Sequence, residues 1–146
     1  MGFPLGFDHD SRTRALQAIE LVGLKDKLDI PLERLPVLDR KLTTIASAIA
    51  GGPQLLLLDE PVGGLNPKEA DSIATLLHVL RAQGMTLLVI EHVMRFMAAV
   101  VCRIVILHHG ENIFAGSFED MLSSAIVREI YLGSQSRRQL EKTARV

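Results

Sequence analysis

The sequence predicts an α/β fold in which a mostly parallel sheet is flanked by helices, with a small helical part ahead of it. Three observations carry this. Leu55-Leu56-Leu57-Leu58-Asp59-Glu60-Pro61 is a short apolar run that ends in two carboxylates and a proline. Leu87-Leu88-Val89-Ile90-Glu91-His92 is a second such run, also ending in polar residues. Between them lies a stretch with helical spacing, the pattern of a parallel strand–helix–strand unit. Runs without alternation read as strands buried on both faces. Open α/β sheets place ligands at the C-terminal ends of their strands, where Asp59, Glu60 and His92 stand.

Taken in order, residues 1–10 show no period and read as an irregular lead-in. Ser11 can cap a helix to about Val22, with Ala15, Ile19 and Val22 on one face and Leu16 and Leu21 widening it; Gly23 ends it. Pro31 and Pro36 interrupt a looped stretch that follows. Leu38, Leu42, Ile45 and Ile49 then recur at helical spacing over residues 38–50. Gly51-Gly52-Pro53 breaks that helix and leads to the first strand. Asn66 as cap, Pro67 at the first helical position and Glu69 as the return arm of a capping box start a helix to about Ala82, with Ile73, Leu76, Leu77 and Leu80 inward. Gly84 stops it. Strand 86–90, a helix over 93–101, strand 104–107, a tight turn at His108–Glu111, strand 113–115 and a helix over 118–132 with a break near Ser123 complete the pattern. Residues 134–146 are polar and basic, a frayed tail.

The 146 residues suit a single compact chain, with 48% apolar and 23% charged residues in ordinary globular proportion. Sixteen basic and seventeen acidic residues leave a net charge of -1, which gives no electrostatic footprint for nucleic acid. No apolar run reaches membrane-spanning length, and no secretory signal pattern opens the chain. Cys102 is the single cysteine, which excludes an internal disulfide and fits a reducing cytosol. It reads as core filler on an apolar helix. His108 and His109 lack further ligands at metal spacing and read as a solvated turn.

An Asp-Glu pair at a strand end is most often a solvated acidic turn. As a functional pair, one carboxylate can hold a metal ion while the other serves as base toward a water, the division phosphoryl transfer requires. Strand alternation points them to opposite sides. A histidine at a neighbouring strand end can donate from one nitrogen to a phosphate oxygen. Glu91 reads as a structural charge.

In this order the motifs resemble the ATP-binding subunits of ABC transporters, with residues 11–133 matching their second half. Leu55–Pro61 resembles the Walker B strand, Gly64-Leu65-Asn66-Pro67 the D-loop and Ile90-Glu91-His92 the switch-histidine strand. The ATPases of branched-chain amino acid importers are the nearest in pattern. The resemblance implies a partial P-loop NTPase core. Residues 1–52 would be a helical subdomain remnant, 53–133 the Walker B, D-loop and switch half, and 134–146 the tail. It also implies ATP and magnesium as cofactors, with Glu60 as general base, Asp59 ordering the magnesium shell through water, and His92 sensing the γ-phosphate. A transmembrane permease subunit and a second ATP-binding subunit are the implied partners, in a dimer at the cytoplasmic face of the membrane.

Two departures qualify it. No stretch reads Gly-x-x-x-x-Gly-Lys-Ser/Thr, the phosphate-cradling loop, and the family's first half has no counterpart here. The expectation is that this half is encoded elsewhere or lost. In the family a central strand from that half lies between the switch strand and the next, so strands 86–90 and 104–107 either close up or receive a strand from a partner segment. The signature Leu-Ser-x-Gly-Gln falls, without a gap, on Leu35-Pro36-Val37-Leu38-Asp39, which loses the serine and the glycine and sets a carboxylate near the phosphates. The expected function is therefore the C-terminal part of a transport ATPase, inactive alone. The alternative is a degenerate, non-hydrolysing module that pairs with an intact ATPase subunit.

Overall fold

A computed structural model describes residues 9–127 and 129. The chain divides into two compact units, one running to Val100 and the other starting at Val101. The boundary expected at residues 52 and 53 falls inside the first unit, whose core is continuous from Ala18 to Phe96.

The first unit opens with α1 (His9–Leu21). Its end is a Schellman motif: Gly23 takes φ +76°, while Leu24 N–H donates to the Ile19 carbonyl and Gly23 N–H to that of Glu20, satisfying carbonyls that a helix end leaves orphaned. The apolar face of α1 is narrower than its sequence predicts. Ala18, Val22 and Leu24 are buried, whereas Leu16 and Leu21 face solvent. Two short 3-10 turns, Lys25–Lys27 and Leu32–Arg34, carry the proline-interrupted stretch. In α2 (Val37–Ile49), Leu42, Ile45 and Ile49 are buried as the spacing predicts, Leu38 is half-buried, and Ala46 is buried with them.

Strands β1 (Leu55–Asp59) and β2 (Thr86–Ile90) pair in parallel, Leu55 opposite Thr86 and Asp59 opposite Ile90. Between them α3 (Pro67–Ala82) begins with the full capping box. The Asn66 side chain accepts from Lys68 and Glu69 N–H, and Glu69 accepts from Asn66 N–H. A second Schellman motif ends it at Gly84, φ +91°, with Met85 N–H on the Leu80 carbonyl and Gly84 N–H on that of Arg81. Ile73, Leu77 and Leu80 are the most completely buried large side chains, each worth about 1.5–3 kcal/mol of burial. The seven-residue α4 (Met94–Val100) packs on α3 through the buried Phe96.

The strands are not buried on both faces as their unbroken apolar runs imply. Leu56 is turned into the core, but Leu57 is 64% exposed, and its neighbours Leu55, Leu88 and Ile90 share the open face. An apolar run shows that a strand can be covered on both sides, whereas exposure reports which side the described residues cover.

In the second unit, β3 (Ile104–His108) and β4 (Glu111–Gly116) form an antiparallel hairpin with a register shift after Ile106. His109 and Gly110 both take positive φ, as a two-residue primed turn needs. This hairpin forms a two-stranded sheet of its own. Ser117 caps α5 (Phe118–Ser123) by accepting from Asp120 N–H; Met121 is buried. The break expected near Ser123-Ser124 is found at Ser124, the C-cap of α5. The expected lead-in over residues 1–10 is corrected at its end, because His9 and Asp10 already belong to α1 and Ser11 lies inside that helix instead of capping it; residues 1–8 and the tail over 134–146 lie outside the described residues. Cys102 is exposed and lies beyond the end of α4, not in the core.

Candidate functional site

The site is built at the shared C-terminal end of β1 and β2. The ladder runs one residue past β1, since Glu60 N–H donates to the Ile90 carbonyl at 2.9 Å. There the backbone turns sharply: Glu60 takes φ +45°, a left-handed conformation that costs a side-chain-bearing residue about 1–2 kcal/mol. Leaving the pleat ends strand alternation. Asp59 and Glu60, expected on opposite sides, instead line one cleft together with Lys41, Val62, Gly63, Gly64, Leu65, His92 and Val93. Its volume is about 650 Å³.

Two bonds within the turn and one from α2 help to hold it. Gly63 N–H returns to the Glu60 carbonyl and Leu65 N–H to the Val62 carbonyl, both at 3.1 Å. Lys41 Nζ donates to the same Glu60 carbonyl at 2.9 Å. Gly64 takes φ +77°, which a residue with a Cβ enters only with strain. From the neighbouring strand, His92 places Nδ1 3.4 Å from Glu60 Oε1. Both side chains are largely open to water, at 71% and 61% exposure. The side chain of Glu91, between Ile90 and His92, is wholly buried. Its Oε1 accepts from Val62 N–H, and its Oε2 from His92 and Val93 N–H.

Not every predicted site residue reaches the cleft. Asp59, Glu60, Gly64 and His92 meet there, whereas Asn66 and Leu35–Asp39 do not line it. Asn66 spends its side-chain oxygen on capping α3. Leu35 is buried, Pro36 is the N-cap of α2, Val37 is exposed, and Leu38 packs half-buried against the core. Asp39 corrects an expectation. Its carboxylate does not add charge beside the cleft; it is buried and ion-paired with Lys27 Nζ.

Lys41 was not foreseen in the cleft, whereas Glu91, read from the sequence as a structural charge, serves as one beneath it. Lys41 gives no local signal, because a lysine on an amphipathic helix reads as solvated face. For Glu91 a hint was present: a carboxylate set just before the N–H groups that open the next helix is favourably placed to accept from them.

Magnesium commonly keeps several waters and takes one or two carboxylates. The open carboxylates of Asp59 and Glu60 suit a hydrated ion of that kind. The triphosphate of ATP is a different matter. The N–H groups of Val62, Gly63 and Leu65 are all engaged within the protein, and the Lys41 ammonium gives one of its three donors to a carbonyl, so the turn offers few donors to a phosphate chain. The cleft suits the metal and water side of phosphoryl chemistry, not the phosphate cradle.

Comparison with known proteins gives the same family repeatedly. No family model matches the chain. The lipopolysaccharide export ATP-binding protein LptB of Acidithiobacillus ferridurans is 37% identical over 97 residues, 66% of this chain and 40% of that protein. The branched-chain amino acid transport ATP-binding protein LivG of Salmonella typhimurium is 32% identical over 121 residues, 82% of this chain and 48% of its own length. The ADP conformation of MJ1267, an ATP-binding cassette of an ABC transporter, superposes with a TM-score of 0.81 at 26% identity, over 88% of this chain and 52% of that one. The chain thus spans about half the length, or less, of the relatives it matches.

Proposed function

We propose that this chain, homologous to part of the ATP-binding subunits of ABC transporters, supplies the water-activating and phosphate-sensing side of an ATP-hydrolysing site that powers solute transport. The observation that carries this is the 3.4 Å approach of His92 Nδ1 to Glu60 Oε1 at adjacent strand ends. Glu60 accepts a proton from the attacking water, and its strained turn, held by Lys41, aims the carboxylate into the cleft. His92 donates to the phosphate that the water attacks. Asp59 orients the water shell of magnesium, which when bound supplies charge neutralisation at the phosphates. Phosphate binding is left to the part of the fold that the relatives have beyond this span. A permease subunit and a second ATP-binding subunit are the partners of this reading, placed at the cytoplasmic face of a membrane. Branched-chain amino acids are the solute favoured by likeness to LivG. The kinship with LptB and with the cobalt importer protein CbiO of Rhodobacter capsulatus shows how widely cargo varies among relatives.

Joining the chain to the first half of LivG and following magnesium-ATP-dependent phosphate release tests the reading. Turnover should appear and fall by at least about 100-fold in Glu60→Gln, the range of a general base. Turnover indifferent to Glu60 would remove the assignment.

A second reading has its own observation. Leu35 and Asp39 are buried and Leu38 packs on the core, so the signature position is built into the chain's own interior. A non-hydrolysing module that pairs with an intact ATPase subunit would tolerate this. A stable complex with an intact relative, without turnover at Glu60, would favour it.

A further inference from the structure

We infer that Glu91 is a positioning residue: its buried carboxylate latches the turn after β1 to the turn after β2 and so sets the separation of Glu60 and His92. The two turns are 29 residues apart in sequence at the bond from Val62 N–H to Glu91 Oε1, 3.1 Å long. On the other side, Oε2 takes His92 N–H at 2.8 Å and Val93 N–H at 3.2 Å. A carboxylate with no exposed side-chain surface is tolerated in a protein interior only when its oxygens are satisfied, and here three backbone donors converge on it. Charge-assisted bonds of this kind are stronger than neutral ones.

The geometry shows what the latch controls. Val62 lies two residues beyond Glu60, and His92 directly follows Glu91. The Glu60 turn is otherwise closed only locally and by Lys41, while the ladder ends at the Glu60 N–H bond to Ile90. Beyond that bond, among the described residues, the Glu91 carboxylate is the direct hydrogen-bonded link between the two turns. Its Oε2 also lies 3.6 Å from His92 Nδ1, the nitrogen that faces Glu60 Oε1 at 3.4 Å. One buried anion therefore fixes the backbone under both cleft side chains and sits beside the imidazole between them.

The catalytic consequence rests on the function proposed above; the latch itself does not. Amide hydrogen exchange by NMR on the full chain tests the latch in Glu91→Ala and Glu91→Gln. In Glu91→Ala, exchange at Val62, His92 and Val93 should accelerate by about 30-fold or more. The amides of Glu60 and Thr86, bonded to the Ile90 and Gln54 carbonyls, should keep their rates, and the cross-peak between the His92 ring and the Glu60 side chain should vanish. Glu91→Gln keeps the shape but turns one acceptor into a donor, so protection should return at one end of the latch only. Unchanged exchange at the three amides, equal acceleration throughout α3 and the ladder, or survival of the His92–Glu60 cross-peak in Glu91→Ala would each overturn the inference. In the LivG-joined form, Glu91→Ala should lower kcat by about 10–100-fold with KM for ATP unchanged, and Glu91→Gln should recover part of the loss. A rise in KM alone would also count against positioning. Absence of turnover in the unaltered joined form would sink the proposed function, leaving the exchange result to decide the latch.

Discussion

Asp39 and Glu60 are both acids at the edge of a regular element, and the chain treats them oppositely. Asp39 sits in the first turn of α2, 8% exposed, on the Lys27 ammonium. Glu60 stands past the end of β1, 61% exposed, in a left-handed turn with His92 alongside. An acid that is buried and paired serves the fold, whereas one held open at the price of backbone strain is available to a ligand. That difference separates the segment Leu35–Asp39 from the cleft more sharply than their residue types do.

The largest expected effect on this contrast comes from Asp39→Ala against Asp59→Ala. Removing the Asp39 carboxylate should cost about 1–3 kcal/mol in urea unfolding, moderated because Lys27 is partly exposed and can return to water. Asp59 lies open in the cleft, so Asp59→Ala should change stability by less than about 0.5 kcal/mol. Equal losses would erase the distinction.

Asn66 sharpens it next. Its side chain caps α3 through two backbone donors, so Asn66→Ala should cost about 1 kcal/mol in the same measurement. A loss near zero would mean that the oxygen is not committed to the helix. The smallest effect is expected at Leu57, 64% exposed on the open sheet face. Leu57→Gln should shift the unfolding midpoint by less than about 0.5 kcal/mol equivalent. A loss above about 2 kcal/mol would show that the leucine is covered in solution.

Where local chemistry decides, the sequence was readable. Asn66-Pro67 and Gly84 bracket α3, whose Pro67–Ala82 span matches expectation because each end has its own stop or start signal. Likewise β1 and β2 match their apolar runs, and Asp59, Glu60 and His92 meet because two parallel strands in register bring their ends together. Side-chain placement was less legible where it depends on distant partners. Leu16 and Leu21 fit a helical face yet stay exposed among the described residues. Burial of Asp39 depends on Lys27, twelve residues earlier. Lys41 enters the cleft only because α2 runs past the Glu60 turn. The opposed directions expected of Asp59 and Glu60 failed at a single dihedral, the positive φ of Glu60, which no residue preference announces.

The proposed function divides the labour of phosphoryl transfer: this cleft would serve the metal and the water, and other groups would hold the phosphates. Calorimetric titration of magnesium-ATP into the chain by itself tests it most directly. Four missing charge-assisted phosphate contacts, at about 1.5–3 kcal/mol each, forfeit about four decades or more of affinity. Binding no tighter than about millimolar is therefore expected, with Glu60→Gln indistinguishable from the unaltered chain. Saturable binding in the micromolar range would contradict the claim, because the described turn would then have to release its own hydrogen bonds to cradle the nucleotide.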